Sequence, residues 1–371
     1  MNLYKDAYFL KSFYCMGQQH DKCFDCAYCR ARGKEHNEGY FTAPSELNPL
    51  FINLPVSLNI FYGDPLMYLD DVERCLDILE KAGHKGPVII ITKGLLGKSD
   101  LINIFLKKRY KLNIHFGLSF FGNNAYDHMA TLEHLDSNLR QASVIKHGFG
   151  YTYNIEYRPL INGINDDEGT MESLFKLAWV YDAPIAYSGL QVEKELEDYI
   201  KEKNLPFKPY DGYDFGMKKN ISKEVEQKLH AFSVQYNVPI FKKTSCAITY
   251  ARGLDRDYNA HYYRPNEVGC PTCPNKTKCH YFKTNNIKCS IIDQLPFDLK
   301  LVWKEHHSCR LHREGLCKFP SPDCLDINGW LLQTDRELTT TDVRIIKWLT
   351  GFTVDAKFVE LPYMQEDWIC S

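Results

Sequence analysis

The segments "PVIIITK" (87–93) and "NIHFGLSF" (113–120) decide how this chain is read. Each is a short apolar run bounded by Gly, Pro, Asn or Asp, the signature of a β-strand. Four more segments share it: "DAYFLKSFY" (6–14), "VSLNIFY" (56–62), "TYNIEYRPL" (152–160) and "PIAYSGL" (184–190). Helical patterns lie between them. In "DDVERCLDILEKAG" (70–83), Val72, Cys75, Leu76 and Leu79 fall on one face, Asp70 and Glu73 fit a capping arrangement, and Gly83 closes the helix. "SDLINIFLKKRY" (99–110), "HLDSNLRQASVIKHG" (134–148) and "DDEGTMESLFKLAWVY" (166–181) read the same way. Six βα units at this spacing predict a parallel sheet with right-handed crossovers, barrel-like or open, whose ligands gather at the carboxyl ends of the strands.

The chain has 371 residues, of which 44% are hydrophobic and 25% charged, enough to bury one large core or two ordinary ones. No stretch reaches the roughly 18 uninterrupted apolar residues that cross a bilayer. The start, "MNLYKDAYFLKSFYCMGQQHDK", lacks the basic, apolar and small-residue regions of a secretory leader, so a cytoplasmic protein without a membrane partner is expected. The net charge of −2 singles out neither nucleic acid nor membrane.

Fourteen cysteines are many for a reducing compartment, where close spacings point to metal or redox chemistry rather than disulfides. Four lie within 15–29, one at 75 and nine from 246 onward. After residue 192 the pattern changes: polar helices are expected over 192–203 and 221–236, then a strand-like "VPIFKK", and from Cys246 a loop-rich tract of Cys, Pro, His and Asn. A short helix ended by Gly351 is expected in "TTTDVRIIKWLTG".

"KCFDCAYCR" (22–30) places Cys23, Cys26 and Cys29 at a three-residue step, with Cys15 upstream. Thiolates crowded onto one loop suit an iron–sulfur cube. A structural zinc site, the rival, favours four ligands in two separated pairs. A cube held by three cysteines keeps one iron open to a substrate or cofactor.

At these residues the chain resembles the radical SAM superfamily. The motif Cys26-Ala27-Tyr28-Cys29 follows a first strand and precedes a βα repeat. That family uses CxxxCxxC, whereas this chain has CxxCxxC with Lys22 before Cys23, which leaves Cys15 as an alternative ligand. The resemblance implies a partial (β/α)6 barrel of parallel strands over 1–192 and a cysteine-rich auxiliary region over 193–371. It also implies a [4Fe–4S] cluster on Cys23, Cys26 and Cys29 that chelates S-adenosylmethionine, and a 5′-deoxyadenosyl radical that abstracts hydrogen. An external electron donor such as flavodoxin or ferredoxin is implied as well. "FYGDPLMY" (61–68) resembles the segment whose backbone, here Gly63-Asp64-Pro65, meets the methionyl amino group. Thr92 and Lys93 in "ITKG" (91–94) and Ser119 in "GLSFFG" (117–122) stand where they reach ribose or carboxylate. "IEYRPLINGIND" (155–166) resembles the branch around spore photoproduct lyase, and its Arg158 is the candidate for the cofactor carboxylate. Against these stand ordinary readings: a turn at 63–65, solvated Lys93, an ion-paired Arg158 and a core thiol at Cys75.

Cys246, with Cys270, Cys273 and Cys279 of "GCPTCPNKTKC", makes a four-thiolate set that resembles the family's auxiliary [4Fe–4S] site, with zinc as the alternative. His306, His307, Cys309, His312, Cys317 and Cys324 match no familiar spacing. The leading reading is a radical SAM enzyme acting on a nucleic acid, nucleotide or peptide. The competing reading is an iron–sulfur electron carrier or zinc-stabilised binding module without that cofactor.

Overall fold

A computed structural model of the chain describes residues 9–10, 26–29, 41–42, 55–58, 64–65, 69–94, 110–212, 214–216, 219–254, 273–274, 300–307, 326–338, 346 and 353–358. The chain divides into two compact units, Ala7–Gly253 and Leu254–Ser371 with Met1–Asp6.

The first unit opens with a two-residue antiparallel pair, β1 (Phe9–Leu10) and β2 (Phe41–Thr42). Its main sheet contains β3 (Val56–Ser57), β4 (Pro87–Thr92), β5 (Asn113–Phe120), β6 (Thr152–Leu160), β7 (Ile185–Gly189) and β8 (Ile240–Phe241). These six strands are parallel and lie side by side in chain order. Among the described residues β3 pairs with β4 alone and β8 with β7 alone, so the sheet is open. Among the described residues the unit's helices are α1 (Leu69–Lys81), α2 (Leu132–Phe149), α3 (Glu168–Val180), α4 (Lys194–Glu202), α5 (Lys223–Tyr236) and α6 (Thr244–Ala251).

The α/β architecture is the one expected, with two corrections to its parts. The described part of "DAYFLKSFY" pairs antiparallel with Phe41–Thr42, outside the parallel sheet. The sixth parallel strand comes instead from "VPIFKK", where Ile240 and Phe241 cover the edge beside Ile185 and Ala186. The sheet-bearing unit accordingly runs past residue 192, the expected boundary, to Gly253, because β8 and the flanking helices pack on the sheet. The helix expected over 99–110 lies outside the described residues except for Tyr110.

Side-chain alternation sorts the sheet into two faces. Val88 and Ile90, Ile114, Phe116 and Leu118, Tyr153 and Ile155, and Ile185 and Tyr187 point to one side. There they pack against Leu76 and Leu79 of α1, Leu135 and Leu139 of α2, Leu174 and Phe175 of α3, and Leu229 of α5. The α1 stripe is the one its periodicity predicts: Val72, Cys75, Leu76 and Leu79 are buried, and Gly83 turns the chain at a φ of 69°. Local capping defines the next helices. Thr131 accepts from the His134 N–H at the start of α2, and Asp167 from the Thr170 N–H at the start of α3.

On the other face α6 lies against β6, β7 and β8. Its Thr244 hydroxyl donates to Glu156, and its C-cap Arg252 donates to the Ile114 carbonyl near the start of β5. Sequence reasoning took this stretch for loop because its short "TSCAITYA" run carries two threonines and no charge to mark an exposed face.

In the second unit, β9 (Lys300–His307) pairs antiparallel with β10 (Asp326–Leu338), which pairs parallel with β11 (Thr353–Phe358). This three-stranded sheet stands where loop was expected. Of "TTTDVRIIKWLTG", Ile346 is described, as a buried helical residue.

Gly189 ends β7 where the backbone of 219–220 crosses it. A Cβ there would lie 1.9 Å from the Asn220 carbonyl oxygen, and the Gly189 N–H donates to the Lys219 carbonyl. Gly189→Ala should therefore cost about 1–3 kcal/mol, read from urea unfolding. Gly148→Ala, near the exposed end of α2 with nothing within 4 Å of its Cβ, should instead stabilise by about 0.4–1 kcal/mol.

Candidate metal and cofactor centre

The described part of the cysteine motif is one tight turn in which the Cys29 N–H donates to the Cys26 carbonyl (3.1 Å). The turn is seated at the carboxyl edge of the sheet, where the Ala27 N–H donates to the Tyr126 carbonyl in the loop after β5. Cys26 and Tyr28 share a second apolar cluster with Phe121, Ala130, Ile161, Val192, Leu196 and Phe207. The Tyr28 ring lies 4.6 Å from that of Phe121.

Under the turn is a buried polar group that sequence reasoning missed in part. Asp127, 1% exposed, accepts from the Met129 and Ala130 N–H groups through Oδ1. Through Oδ2 it accepts from the Tyr28 hydroxyl and from Lys93 Nζ at 2.6 Å. Lys93 Nζ also lies 2.5 Å from Cys26 Sγ and 3.1 Å from the Tyr28 oxygen. The Lys93 backbone is fixed too, since its N–H donates to Asp64 Oδ2, while Thr92 donates to Asp64 Oδ1 (2.6 Å each). Thr92 Oγ1 in turn accepts from the Gly94 N–H. Asp64 thus ties the "GDP" segment to the end of β4.

Charge at this site follows from burial and partners. Burial raises the Cys26 thiol to about 12 even though Lys93 opposes it. Burial also works against the Lys93 ammonium, but Tyr28, Cys26 and Asp127 outweigh it and hold its pKa well above the ordinary lysine value. Metal binding at Cys26 would therefore displace a proton.

A second network runs along the α6-facing side of the sheet. His115 joins Thr152 (2.8 Å) and Asn154 (2.7 Å) through its two ring nitrogens. Asn154 donates to Glu156, and Glu156 forms a 2.8 Å ion pair with Arg158 Nε. Gly117 permits this crowding, because a Cβ there would meet Ile91 Cγ1 at 2.9 Å and Glu156 Cγ at 3.2 Å. Ser119 lies beside Glu156 in the β5–β6 register, one step beyond the Leu118–Thr92 pair.

The structure therefore brings together Cys26, Cys29, Asp64, Pro65, Thr92 and Lys93 at the carboxyl edge, with Ser119 and Arg158 farther along it. Cys23 and Gly63 lie outside the described residues, as do Cys270, Cys279, Cys15, Cys289, Cys309, Cys317, Cys324 and Cys370. Cys246 sits on α6 in the sheet-bearing unit, and Cys273 belongs to the second unit. Among the described residues no three His, Cys, Asp or Glu side chains form a metal-binding group, and two of the three motif cysteines are among them. The donor chemistry of that pair, two soft thiols on one turn beside a fixed cation, fits an iron–sulfur cluster. No described helix is long and apolar enough to cross a membrane.

No family model and no curated protein matches the sequence. Solved structures similar in part include a radical SAM methyltransferase from Sphaerobacter thermophilus, at 16% identity over 54% of this chain and 53% of that one, TM-score 0.37. Streptococcus suis SuiB bound to S-adenosylmethionine is similar at 13% identity over 68% of this chain and 53% of that one, TM-score 0.38. A second SuiB structure gives 13% identity over 64% and 49%, TM-score 0.36. The chain spans about half the length of each. Likeness at this level decides neither family nor activity.

Two outcomes follow from these networks. Asp127→Ala removes the carboxylate partner of the half-buried Lys93 ammonium and leaves the Tyr28 hydroxyl without its acceptor, and should cost about 3 kcal/mol in urea unfolding. Burial, reinforced by Arg252, pushes His115 down to about 3. Its unfolded form takes a proton near pH 6.5 while the folded form refuses it, so this stabilisation is complete above pH 6.5 and falls away towards pH 3. Urea midpoints at pH 7, 6 and 5 should show His115→Gln losing about 1.4 kcal/mol per pH unit of the wild-type slope.

Proposed function

We propose that this chain is a radical SAM enzyme whose Cys23, Cys26 and Cys29 hold a [4Fe–4S] cluster and whose sheet edge binds S-adenosylmethionine. The observation that carries the reading is the seat of the CxxC turn: both described cysteines lie at the carboxyl edge of a consecutively ordered parallel sheet, against the half-buried Lys93. The resemblance of the "CAYC" motif, the "GDP" segment and the fifth-strand segment agrees with it. A cluster held by Cys23, Cys26 and Cys29 would supply one-electron reduction of the bound cofactor, and so the chemistry of hydrogen abstraction from the substrate.

The chain's own residues bind, orient and shield. Glu156 aims Arg158 by pairing with Nε, which leaves the terminal nitrogens of its 28% exposed side chain for a cofactor carboxylate. By the resemblance, the Gly63-Asp64-Pro65 segment would meet the cofactor amino group, with Ser119 on β5 between β4 and the Arg158 strand. Phe121, Ile161, Val192 and Phe207 keep water from the cysteine turn.

The substrate is a nucleotide, nucleic acid or peptide, and the electron comes from a carrier such as flavodoxin or ferredoxin. The sheet-bearing unit, Ala7–Gly253, would form the catalytic core. Cys270, Cys273 and Cys279 would hold a second [4Fe–4S] cluster or a zinc ion in the second, auxiliary unit, while Cys246 lies on α6 of the sheet-bearing unit. A cytoplasmic location agrees with so many cysteines.

The test is 5′-deoxyadenosine formation by anaerobically purified, reduced protein given S-adenosylmethionine. Wild type should form it, and Cys26→Ala and Cys29→Ala should abolish it. Arg158→Gln should weaken cofactor binding about tenfold or more, the value of one charge-assisted hydrogen bond. Iron-loaded protein that neither binds nor cleaves the cofactor would favour a closed electron-carrying site.

A further inference from the structure

We infer that Lys93 is a positioning residue for the iron–sulfur site: its ammonium is committed to the Cys26 sulfur and raises the readiness of a cluster on that sulfur to accept an electron. The inference rests on the cluster reading above and gives Lys93 a role other than contact with the cofactor's ribose or carboxylate.

The geometry argues for it by counting. An ammonium has three N–H donors. Lys93 Nζ has three acceptors within reach: Cys26 Sγ at 2.5 Å, Asp127 Oδ2 at 2.6 Å and the Tyr28 oxygen at 3.1 Å. None is left for a cofactor carboxylate. The stem cannot swing freely either, because the Lys93 N–H is held by Asp64 and the ammonium lies 4.7 Å from the centre of the Tyr28 ring. The Lys93 side chain is 17% exposed and that of Asp127 0%, so neither charge is well screened by water.

The consequence is electrostatic. Reduction by one electron from an external donor adds one negative charge to the cluster and its thiolates. A fixed cation on one thiolate stabilises the reduced form more than the oxidised form. Asp127 has the opposite sign and offsets part of this, so the two side chains should move the potential in opposite directions. A role confined to packing would impose no such sign order.

The experiment is a redox titration of anaerobically reconstituted protein with graded dithionite, read by the electron paramagnetic resonance signal of the reduced cluster. Wild type, Lys93→Met, Lys93→Arg, Asp127→Asn and the double variant K93M/D127N would be compared. K93M should lower the midpoint and shift the reduced-to-oxidised ratio at fixed potential tenfold or more, about 59 mV for a one-electron couple. K93R should restore most of the shift, D127N should raise the midpoint, and K93M/D127N should fall between the single variants. The double variant removes both charges at nearly constant shape, which keeps the comparison valid if a single variant folds poorly. A cluster that forms normally but whose midpoint is unmoved, or moves the same way in K93M and D127N, overturns the inference while leaving the cluster reading intact. Wild-type protein that takes up no iron and sulfide overturns both.

Discussion

A parallel sheet has no face to spare for water, and that constraint organises the molecule. Helices α1, α2, α3 and α5 cover one side with ordinary apolar packing. The other side carries His115, Asn154 and Glu156, all buried, so each polar group must find its partner inside the protein. The chain of contacts from Thr152 through His115, Asn154 and Glu156 to Arg158 and Thr244 does this. Helix α6, which supplies Thr244, covers this side over β6, β7 and β8.

Asp127 plays a comparable part at the carboxyl edge. It joins Tyr28, 99 residues away in sequence, to Lys93, 34 residues away, and anchors its own loop through two N–H groups. Its burial is tolerable because donors surround both oxygens, whereas a lone buried carboxylate would cost several kcal/mol. Asp64 does the same for the end of β4 on a smaller scale. Two carboxylates therefore fix the backbone around the cysteine turn without contributing ligands to it.

Much of this was legible in the sequence because it is local. The strands over 87–92, 113–120, 152–160 and 185–189 and the apolar stripe of α1 follow from side-chain periodicity, and "CAYC" declares itself by spacing. What escaped was non-local. Nothing around Asp127 signals a partner at Tyr28, since "NNAYDHMA" reads as a polar turn. Phe9–Leu10 has the composition of a sheet strand, but its pairing depends on Phe41–Thr42. Ile240–Phe241 lies in the strand-like "VPIFKK", but its place as the sixth parallel strand is set by the edge that β7 offers. The Lys93 residue was legible as a strand-end cation, while the direction of its ammonium was settled by residues distant in sequence.

Exposure along the α6-facing side rises from 0% at His115 and Asn154 to 28% at the Arg158 side chain. An anion arriving from solvent would therefore meet the Arg158 guanidinium at the rim before the Glu156 carboxylate paired with it and the buried Asn154 and His115. Such an arrangement divides the kinetics of capture. The rim charge governs how often a diffusing anion is drawn in and is weakened by added salt, whereas the sheltered contacts beneath govern how long it stays.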